Sequence, residues 1–328
     1  GGGAGGMGGM GGSGGMGGGM GGMGGMGGSG GMAAVPPPPP ANLSVMAIDA
    51  QGIHLTWTNP SGSMAFAKVK ILRALNASPA GPDDAAAMLV YSGAAESASD
   101  DLTKLLPHTA TDPRSYFYTA YACTQDDLCE TQGSSTQAAP TIVQCLAAGG
   151  YTIFWRHAAA DVCADATNLG TAANPSVPDW WKSCDADCPP GGGGTATARQ
   201  LNATGVMQSI TIGLDMDTRG IPIGRVRSSE FCRCIQTAEN MAFPPAIEQE
   251  QDLTYFVYDE ASRCADTMVM LSEAPAAGTN TAHISHAGNA CPYLDQLAWG
   301  EAAIFKPDGA GGATYIARVL ASEWLTLP

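Results

Sequence analysis

The sequence predicts a multidomain protein in which a β-sandwich is followed by a three-layer α/β domain with a mostly parallel sheet. A glycine-rich segment of the polyproline II type precedes both. Three changes along the 328 residues predict this arrangement. Glycine and methionine dominate residues 1–34, short runs with alternating apolar residues fill 42–140, and strand-like runs alternate with helix-like runs over 141–328. A proline-rich spacer at 35–41 separates the first two segments.

The glycine-rich segment has a period of three residues. Its residues other than glycine fall at positions 4, 7, 10, 13 and 16, and again at 20, 23, 26, 29 and 32. Polyproline II has three residues per turn, so this period places the methionines of each run on one edge and leaves bare glycine backbone to hydrogen-bond with neighbouring helices. We therefore expect residues 1–32 to be an assembly or anchoring arm that makes the protein a homo-oligomer or polymer. A flexible glycine-rich linker is the alternative.

Charge and cysteine content limit the partners and the compartment. The formal net charge of −15 argues against nucleic acid or an anionic membrane surface as the main partner. No run of about 18 apolar residues is present, so we expect no transmembrane segment. Ten cysteines are many for a reducing compartment and predict up to five disulfides in a secreted or extracellular protein, a bacterial cell surface included. Short disulfides fit Cys123–Cys129 and Cys184–Cys188, and reduced buried thiols in the cytosol are the alternative.

Residues 42–140 predict a small β-sandwich. The runs "KVKIL" and "YFYTAYA" alternate so that one face is apolar, and several such strands over about 100 residues indicate a sandwich. Trp57 in "LTWTNP" and the tyrosine-rich "YFYTAYA" resemble the second and sixth strands of a fibronectin type III domain. The resemblance implies a module that spaces or presents its neighbour and does not catalyse.

Residues 141–328 predict an α/β domain. Strands are expected at "GYTIFWR", "IGRVRSS", "TAHISH", "EAAIFKP" and "ATYIARV", and helical stretches at 198–220, 230–243 and 259–274. Strands separated by helices favour a mostly parallel sheet with helices on both faces.

Polar residues stand where these strands end. Arg156 and His157 end the first strand, His286 ends the "TAHISH" strand, and Arg233 follows the "IGRVRSS" strand on a helix. In an open α/β sheet the carboxyl ends of the strands share one crevice, so these groups are expected to converge there. Two arginines and two histidines form a pocket for a dianion, because the planar guanidinium suits phosphate oxygens.

The same motifs carry a family resemblance. "RHA", "ARQLNATG", "GRVRSSEFCRCIQTAE", "HISHAGN" and "GEAAIFKPDG", in this order, resemble the histidine phosphatase superfamily, which is related to the phosphoglycerate mutases. The resemblance covers roughly residues 141–325. It implies that His157 is the nucleophile that forms a phosphohistidine, that Arg156, Arg233 and His286 hold the phosphoryl group, and that no metal or other cofactor takes part. The implied partner is a phosphorylated small-molecule substrate.

Two features depart from the family pattern. Ala158 stands where the family usually has glycine. No residue clearly matches the acidic proton donor that the family has after the second helix; Asp252, Asp259 and Glu260 lie nearby, and Glu301 stands at the start of a strand. We include Glu301 among the candidate catalytic residues, although geometry is what identifies a general acid.

An insert at 174–194 separates the first strand from the first helix of this domain. We expect Trp180 and Trp181 to pack as part of its surface, with a lid over the pocket as the alternative. Cys232 and Cys234 flank Arg233 on different faces of one helix, so they should not pair with each other, and a disulfide from this position would hold the helix in place.

The sequence supports two hypotheses of function. The first is a secreted phosphomonoesterase that works through a phosphohistidine, with an N-terminal arm for self-assembly or anchoring. The second is a structural extracellular filament or matrix subunit whose phosphatase-like domain has little or no activity. Whether the protein is an enzyme, a phosphoric monoester hydrolase, is therefore left open by the sequence, as is the identity of the substrate.

Overall fold

The computed structural model describes residues 34–163, 165, 179–184, 198–254, 257–258, 261–287 and 291–327. The predicted assembly arm at 1–32 lies outside the described residues, as do the candidate carboxylates Asp259 and Glu260. Among the described residues, no helix is both long and apolar enough to cross a membrane.

Seven strands within the described residues 41–138 form two antiparallel sheets. They are β1 (Ala41–Asp49), β2 (Gly52–Thr58), β3 (Lys68–Leu75), β4 (Met88–Gly93), β5 (Ser97–Asp100), β6 (Tyr116–Cys123) and β7 (Ser134–Ala138). One sheet has the order β1-β2-β5 and the other the order β4-β3-β6-β7. Trp57 of β2 is buried between them, with its ring centroid 5.3 Å from that of Tyr91 on β4. The alternation predicted the sandwich, and the resemblance to a fibronectin type III domain implied the core position of Trp57.

The described part of residues 141–327 contains eight further strands and four helices. In chain order they are α1 (Ile142–Ala148), β8 (Thr152–Arg156), β9 (Ala160–Val162), β10 (Gln200–Leu201), α2 (Ala203–Thr218), β11 (Ile223–Ser229), α3 (Cys232–Met241), β12 (Ile247–Glu250), α4 (Arg263–Ser272), β13 (Asn280–Ser285), β14 (Ala302–Pro307) and β15 (Ala313–Val319). Six of them form a sheet with the order β12-β11-β13-β8-β14-β15, and β9 pairs with β10 in a separate ribbon.

The six-stranded sheet is mixed. Strands β12, β11, β13 and β8 are parallel neighbours, whereas β14 runs antiparallel to both β8 and β15. The parallel part agrees with the sequence expectation. The antiparallel pairing of β14 with β15 follows from the chain itself, because only a short turn connects the two strands and such a connection cannot support a parallel crossover.

The two faces of this sheet are covered by different helices. Ile153 and Trp155 of β8 belong to the same apolar cluster as Ile212 of α2 and Met241 of α3. Phe154, between them in sequence, points to the opposite face and joins the cluster that contains residues of α4. This layering buries both faces and leaves the carboxyl edge of the parallel strands for polar side chains.

The sandwich and the α/β part pack as one compact unit, Pro36–Pro328. Their apolar residues share one cluster, and hydrogen bonds cross the junction. The Tyr151 hydroxyl donates to the Leu105 carbonyl at 2.9 Å, and the Gln144 amide of α1 donates to the Ile48 carbonyl at 3.3 Å. The segment boundary expected near residue 140 is therefore a tight junction and not a flexible linker.

The disulfides confirm one predicted pairing and correct another. Cys123 and Cys129 are bonded, as predicted. The predicted Cys184–Cys188 pairing is wrong, because Cys184 is bonded to Cys232, with a Cα–Cα distance of 5.2 Å. The reason is that residues 179–184 fold back onto the start of α3, which brings the two cysteines within bonding range.

The remaining cysteines limit the total. Cys264 is bonded to Cys291, and Cys163 is also in a disulfide. Cys145 and Cys234 are free and buried, so five disulfides are not reached.

Candidate functional site

The carboxyl edge of the sheet brings the two candidate histidines together. His157 follows the last residue of β8, and His286 follows the last residue of β13. These strands are neighbours, and the His157 backbone N–H donates to the Ser285 carbonyl at 2.8 Å. The imidazole centroids therefore lie 5.4 Å apart, with the ring planes at 69°.

The His157 ring is held in one tautomer. Its Nδ1 lies 2.8 Å from the Ala158 carbonyl oxygen, and a carbonyl can only accept, so Nδ1 carries the proton and Nε2 the lone pair. The side chain is buried. Burial, followed by the positive charge of Arg233, lowers the pKa of His157 well below its ordinary 6.5. His157 is thus a neutral imidazole with a basic, nucleophilic Nε2.

His286 is also buried and neutral. Its Nε2 lies 3.0 Å from the Ser229 hydroxyl at the end of β11, and its ring meets Phe231 edge to face at 4.9 Å. Burial, and next the charge of Arg233, lowers the pKa of His286 well below 6.5. The positive charge of the site therefore resides on its arginines.

Arg233 reaches the same place from the first turn of α3. It is 1% exposed, and its guanidinium carbon lies 4.2 Å from the centroid of the Phe231 ring. Its Nη1 lies 3.1 Å from Oδ1 of Asp165, whose Oδ2 in turn accepts from Nε of Arg199 at 3.1 Å. A carboxylate of the chain thus joins two arginines beside the histidines.

Arg156 lies on the other side of the site. Its backbone N–H donates to the Glu301 carbonyl at 3.0 Å, and its Nη1 donates to the Leu297 carbonyl at 2.7 Å. Its guanidinium carbon lies 5.6 Å from the centroid of the Trp299 ring. The charge of Arg156 contributes, after burial and Arg233, to lowering the pKa of both His157 and His286.

The carboxyl group of Glu301 closes a turn. Its Oε2 accepts the Ala298 N–H at 2.6 Å, and the neighbouring Gly300 N–H donates to the His157 carbonyl at 3.2 Å. Glu301 is buried next to the site, and its role as proton donor stays a prediction. Asp252 is exposed in the turn after β12.

Sequence reasoning missed three charged residues of the site. Arg199 belongs to the quoted motif "ARQLNATG" but was assigned no role, and Asp165 lies in a stretch without periodicity. Glu230, next to Ser229, is a buried carboxylate whose Oε2 accepts from Trp181 Nε1 at 2.9 Å and from the Tyr258 hydroxyl at 2.6 Å. Arg199 and Glu230 both belong to motifs that carry the family resemblance, which could have drawn attention to them, whereas no sequence signal marks Asp165.

Residues 179–184, which we call the strap, cover Glu230. Trp180 and Trp181 are buried, the Lys182 Nζ lies 3.3 Å from Oε1 of Glu230, and Cys184 is bonded to Cys232. The tryptophan pair therefore does not simply pack as part of the surface. It is buried against the start of α3, and the Cys184–Cys232 disulfide links the strap to that helix.

The charges of the described site suit an anion. Arg156, Arg199 and Arg233 surround two neutral imidazoles, and Asp165 offsets one of the three positive charges. An excess of guanidinium charge is stabilised by a bound oxyanion with two negative charges. The arrangement can hold a phosphoryl group next to the Nε2 lone pair of His157.

Comparison with known proteins assigns no family. No family model matches the chain, and no curated protein matches it. Among solved structures, the protein histidine phosphatase SixA complexed with tungstate matches at 19% identity and a TM-score of 0.35, covering 52% of this chain and 97% of its own. Phosphoserine phosphatase from Entamoeba histolytica matches at 12% identity and a TM-score of 0.33, covering 53% of this chain and 98% of its own.

A third similarity concerns a different kind of domain. The fibronectin type III domain of human fibronectin type III domain containing protein 3 matches at 16% identity and a TM-score of 0.24, covering 34% of this chain and 94% of its own. Scores of this size leave the functional assignment to the site geometry.

Proposed function

We propose that this protein is a phosphomonoesterase that forms a phosphohistidine on His157. The observation that carries the proposal is the state of His157: a buried, neutral ring with its lone pair on Nε2, between Arg156, Arg233 and His286. A nucleophile of this kind needs no separate base, because it attacks in the protonation state that burial already enforces.

The first step transfers the phosphoryl group to the enzyme. The Nε2 lone pair of His157 forms the N–P bond while the bond between phosphorus and the ester oxygen breaks, and the leaving oxygen takes a proton. Arg156 and Arg233 offset the charge on the phosphoryl oxygens as the transition state forms. We propose that Glu301 donates this proton. Its carboxyl group is buried, and its backbone carbonyl accepts the Arg156 backbone N–H.

The second step releases phosphate. A water oxygen attacks phosphorus, the N–P bond breaks, and its electron pair returns to Nε2 of His157. One proton of the water returns to the Glu301 carboxylate and the other stays on the phosphate product, so the enzyme regains its starting state. Both steps use the same arginines, because the charge develops on the same oxygens.

Hydrolysis of p-nitrophenyl phosphate tests the proposal. We expect turnover by the wild type and a loss of about a thousandfold or more in His157→Ala. Covalently bound phosphate that is lost in acid and kept in base, found on the wild type but not on this variant, would identify the phosphohistidine. His108→Ala, an exposed histidine of the sandwich, is the matched control and should keep full activity. No turnover of any phosphomonoester by the wild type would favour the structural alternative, a filament or matrix subunit.

We also propose that residues 1–32 join copies of the chain. The support is the three-residue period of the sequence. Electron microscopy and light scattering of the full chain and of a variant without residues 1–32 would test this, and an unchanged particle size would refute it. The disulfides favour an oxidising compartment, and we propose export from the cell on that basis.

A further inference from the structure

A cavity of about 740 Å³ lies beside the candidate site. The amino-terminal half of α2 forms one wall, and residues 298–299 and 320–322 form the other. Three large apolar side chains are exposed around it: Met207 by 61%, Trp299 by 40% and Leu320 by 42%. Apolar side chains that surround a concave surface commonly mark a binding site for a ligand.

Both walls of the cavity are attached to the residues around His157. On one wall, Gln208 Oε1 accepts the Ala159 N–H at 3.1 Å. On the other, the Gly300 N–H, next to Trp299, donates to the His157 carbonyl at 3.2 Å. The cavity therefore keeps a fixed position relative to the nucleophile.

Gly205 allows α2 to come this close. A Cβ at this position would lie only 2.1 Å from the Ala159 carbonyl oxygen. Any larger residue would push the amino-terminal half of the helix, and with it one wall of the cavity, away from the site.

Arg156 connects the cavity to the phosphate site. Its guanidinium carbon lies 5.6 Å from the centroid of the Trp299 ring, and its charge acts on both histidines. A phosphoryl group bound by Arg156 is therefore next to the Trp299 end of the cavity. The organic group that is esterified to this phosphoryl group therefore lies next to the cavity.

The lining of the cavity indicates what that substituent is. None of the described side chains that line it carries a charge. A second phosphate, a carboxylate or an ammonium group would lose water there without gaining a counter-charge. The Trp299 ring offers a face for stacking, and Met207 and Leu320 offer flexible apolar contacts.

We propose that this cavity binds the leaving group of the substrate and that the substrate is a phosphomonoester of an uncharged, apolar alcohol, preferably an aromatic one. The proposal rests on the proposed phosphatase function. A single ring fits the size of the cavity, whereas a stable protein partner needs about 800 Å² of surface on each side, more than three exposed side chains supply.

Binding to the inactive His157→Ala variant tests the cavity without relying on turnover. We expect 1-naphthyl phosphate to bind about tenfold or more tightly than glycerol 3-phosphate or inorganic phosphate in calorimetry. The variant that combines Met207→Gln with Leu320→Gln should remove this preference and leave the affinity for inorganic phosphate unchanged. Glutamine is a good helix former and adds no charge, so α2 should keep its structure.

The control is Leu214→Gln on the same helix. Leu214 is 62% exposed, close to the 61% of Met207, but it lies outside this cavity, so the preference for 1-naphthyl phosphate should persist. Equal affinities for the three ligands, or a preference that survives the double substitution, would overturn the proposal. Equal affinities are also the result expected if the patch instead docks a protein. Absence of turnover in the wild type would count against the phosphatase function alone.

Discussion

The carboxylate of Asp165 lies 3.1 Å from Nη1 of Arg233, in the group of arginines proposed to hold phosphate. The same carboxylate accepts the Arg199 backbone N–H at 2.9 Å and its Nε at 3.1 Å. Both partners of the Arg233–Asp165 pair are nearly buried, with side chains 1% and 10% exposed. An anion that enters the site therefore meets a guanidinium that already has a negative partner.

We expect Asp165→Asn to bind inorganic phosphate about tenfold more tightly, because Arg233 then lacks an internal counter-charge. The inhibition constant of phosphate against p-nitrophenyl phosphate measures this effect. Asp161→Asn, an exposed aspartate nearby, is the control and should not change it. Weaker phosphate binding in Asp165→Asn would mean that Asp165 positions the arginines and does not compete with the ligand.

Glu301→Gln separates the role of proton donor from a structural role. If Glu301 protonates the leaving oxygen, the variant should lose about a hundredfold or more with alkyl phosphates but little with p-nitrophenyl phosphate, whose leaving group needs no proton. The amide can still accept the Ala298 N–H, so the turn is preserved. Equal losses with both substrates would show that Glu301 acts only through the turn.

Three buried histidines make the fold sensitive to acid. Burial lowers the pKa of His283 to about 3, and those of His157 and His286 lie well below 6.5. Below pH 6.5 the unfolded chain binds protons on these rings and the folded chain does not. The free energy of unfolding should therefore fall as the pH falls from 6.5 toward 3, by up to about 1.4 kcal/mol per pH unit for each histidine.

His283→Leu tests this prediction away from the candidate site. His283 lies on β13, and neither ring nitrogen has a hydrogen-bond partner among the described residues. The variant should show a smaller loss of stability between neutral and acidic pH in urea unfolding. Thr281→Val removes a buried polar group that does not titrate, and it should keep the slope of the wild type.

The Cys184–Cys232 disulfide should stabilise the fold more than Cys123–Cys129 does. It closes a loop of 48 residues against 6, so chain entropy predicts losses of about 4 and about 2 kcal/mol when each pair is replaced by serine. Urea unfolding of the two double variants measures both losses. Removal of Cys184–Cys232 should also lower phosphatase activity, since it frees the strap from the start of the helix that carries Arg233. Equal losses of stability with unchanged activity would contradict this role.

Local sequence patterns predicted much of the fold. Period-two alternation predicted β3 and β6, and strand ends predicted that Arg156, His157, Arg233 and His286 meet at one edge. These inferences succeed because a strand exposes one face at every second residue and parallel strands end on the same side of a sheet. Neither rule needs information about distant parts of the chain.

Local patterns in the sequence predicted most of the strands and helices, though not α1, β9, β10 or β12, and the edge of the sheet on which the polar groups meet. The tertiary fold sets which distant groups meet there: Asp165 pairs with Arg233, Lys182 pairs with Glu230, and Cys184 is bonded to Cys232. These partners are 48 to 68 residues apart in the chain and lie in or next to an insert without periodicity. The pairings of Glu230 and Cys232 depend on how residues 179–184 fold back onto the start of α3, a long-range choice set by packing and desolvation that no local spacing encodes.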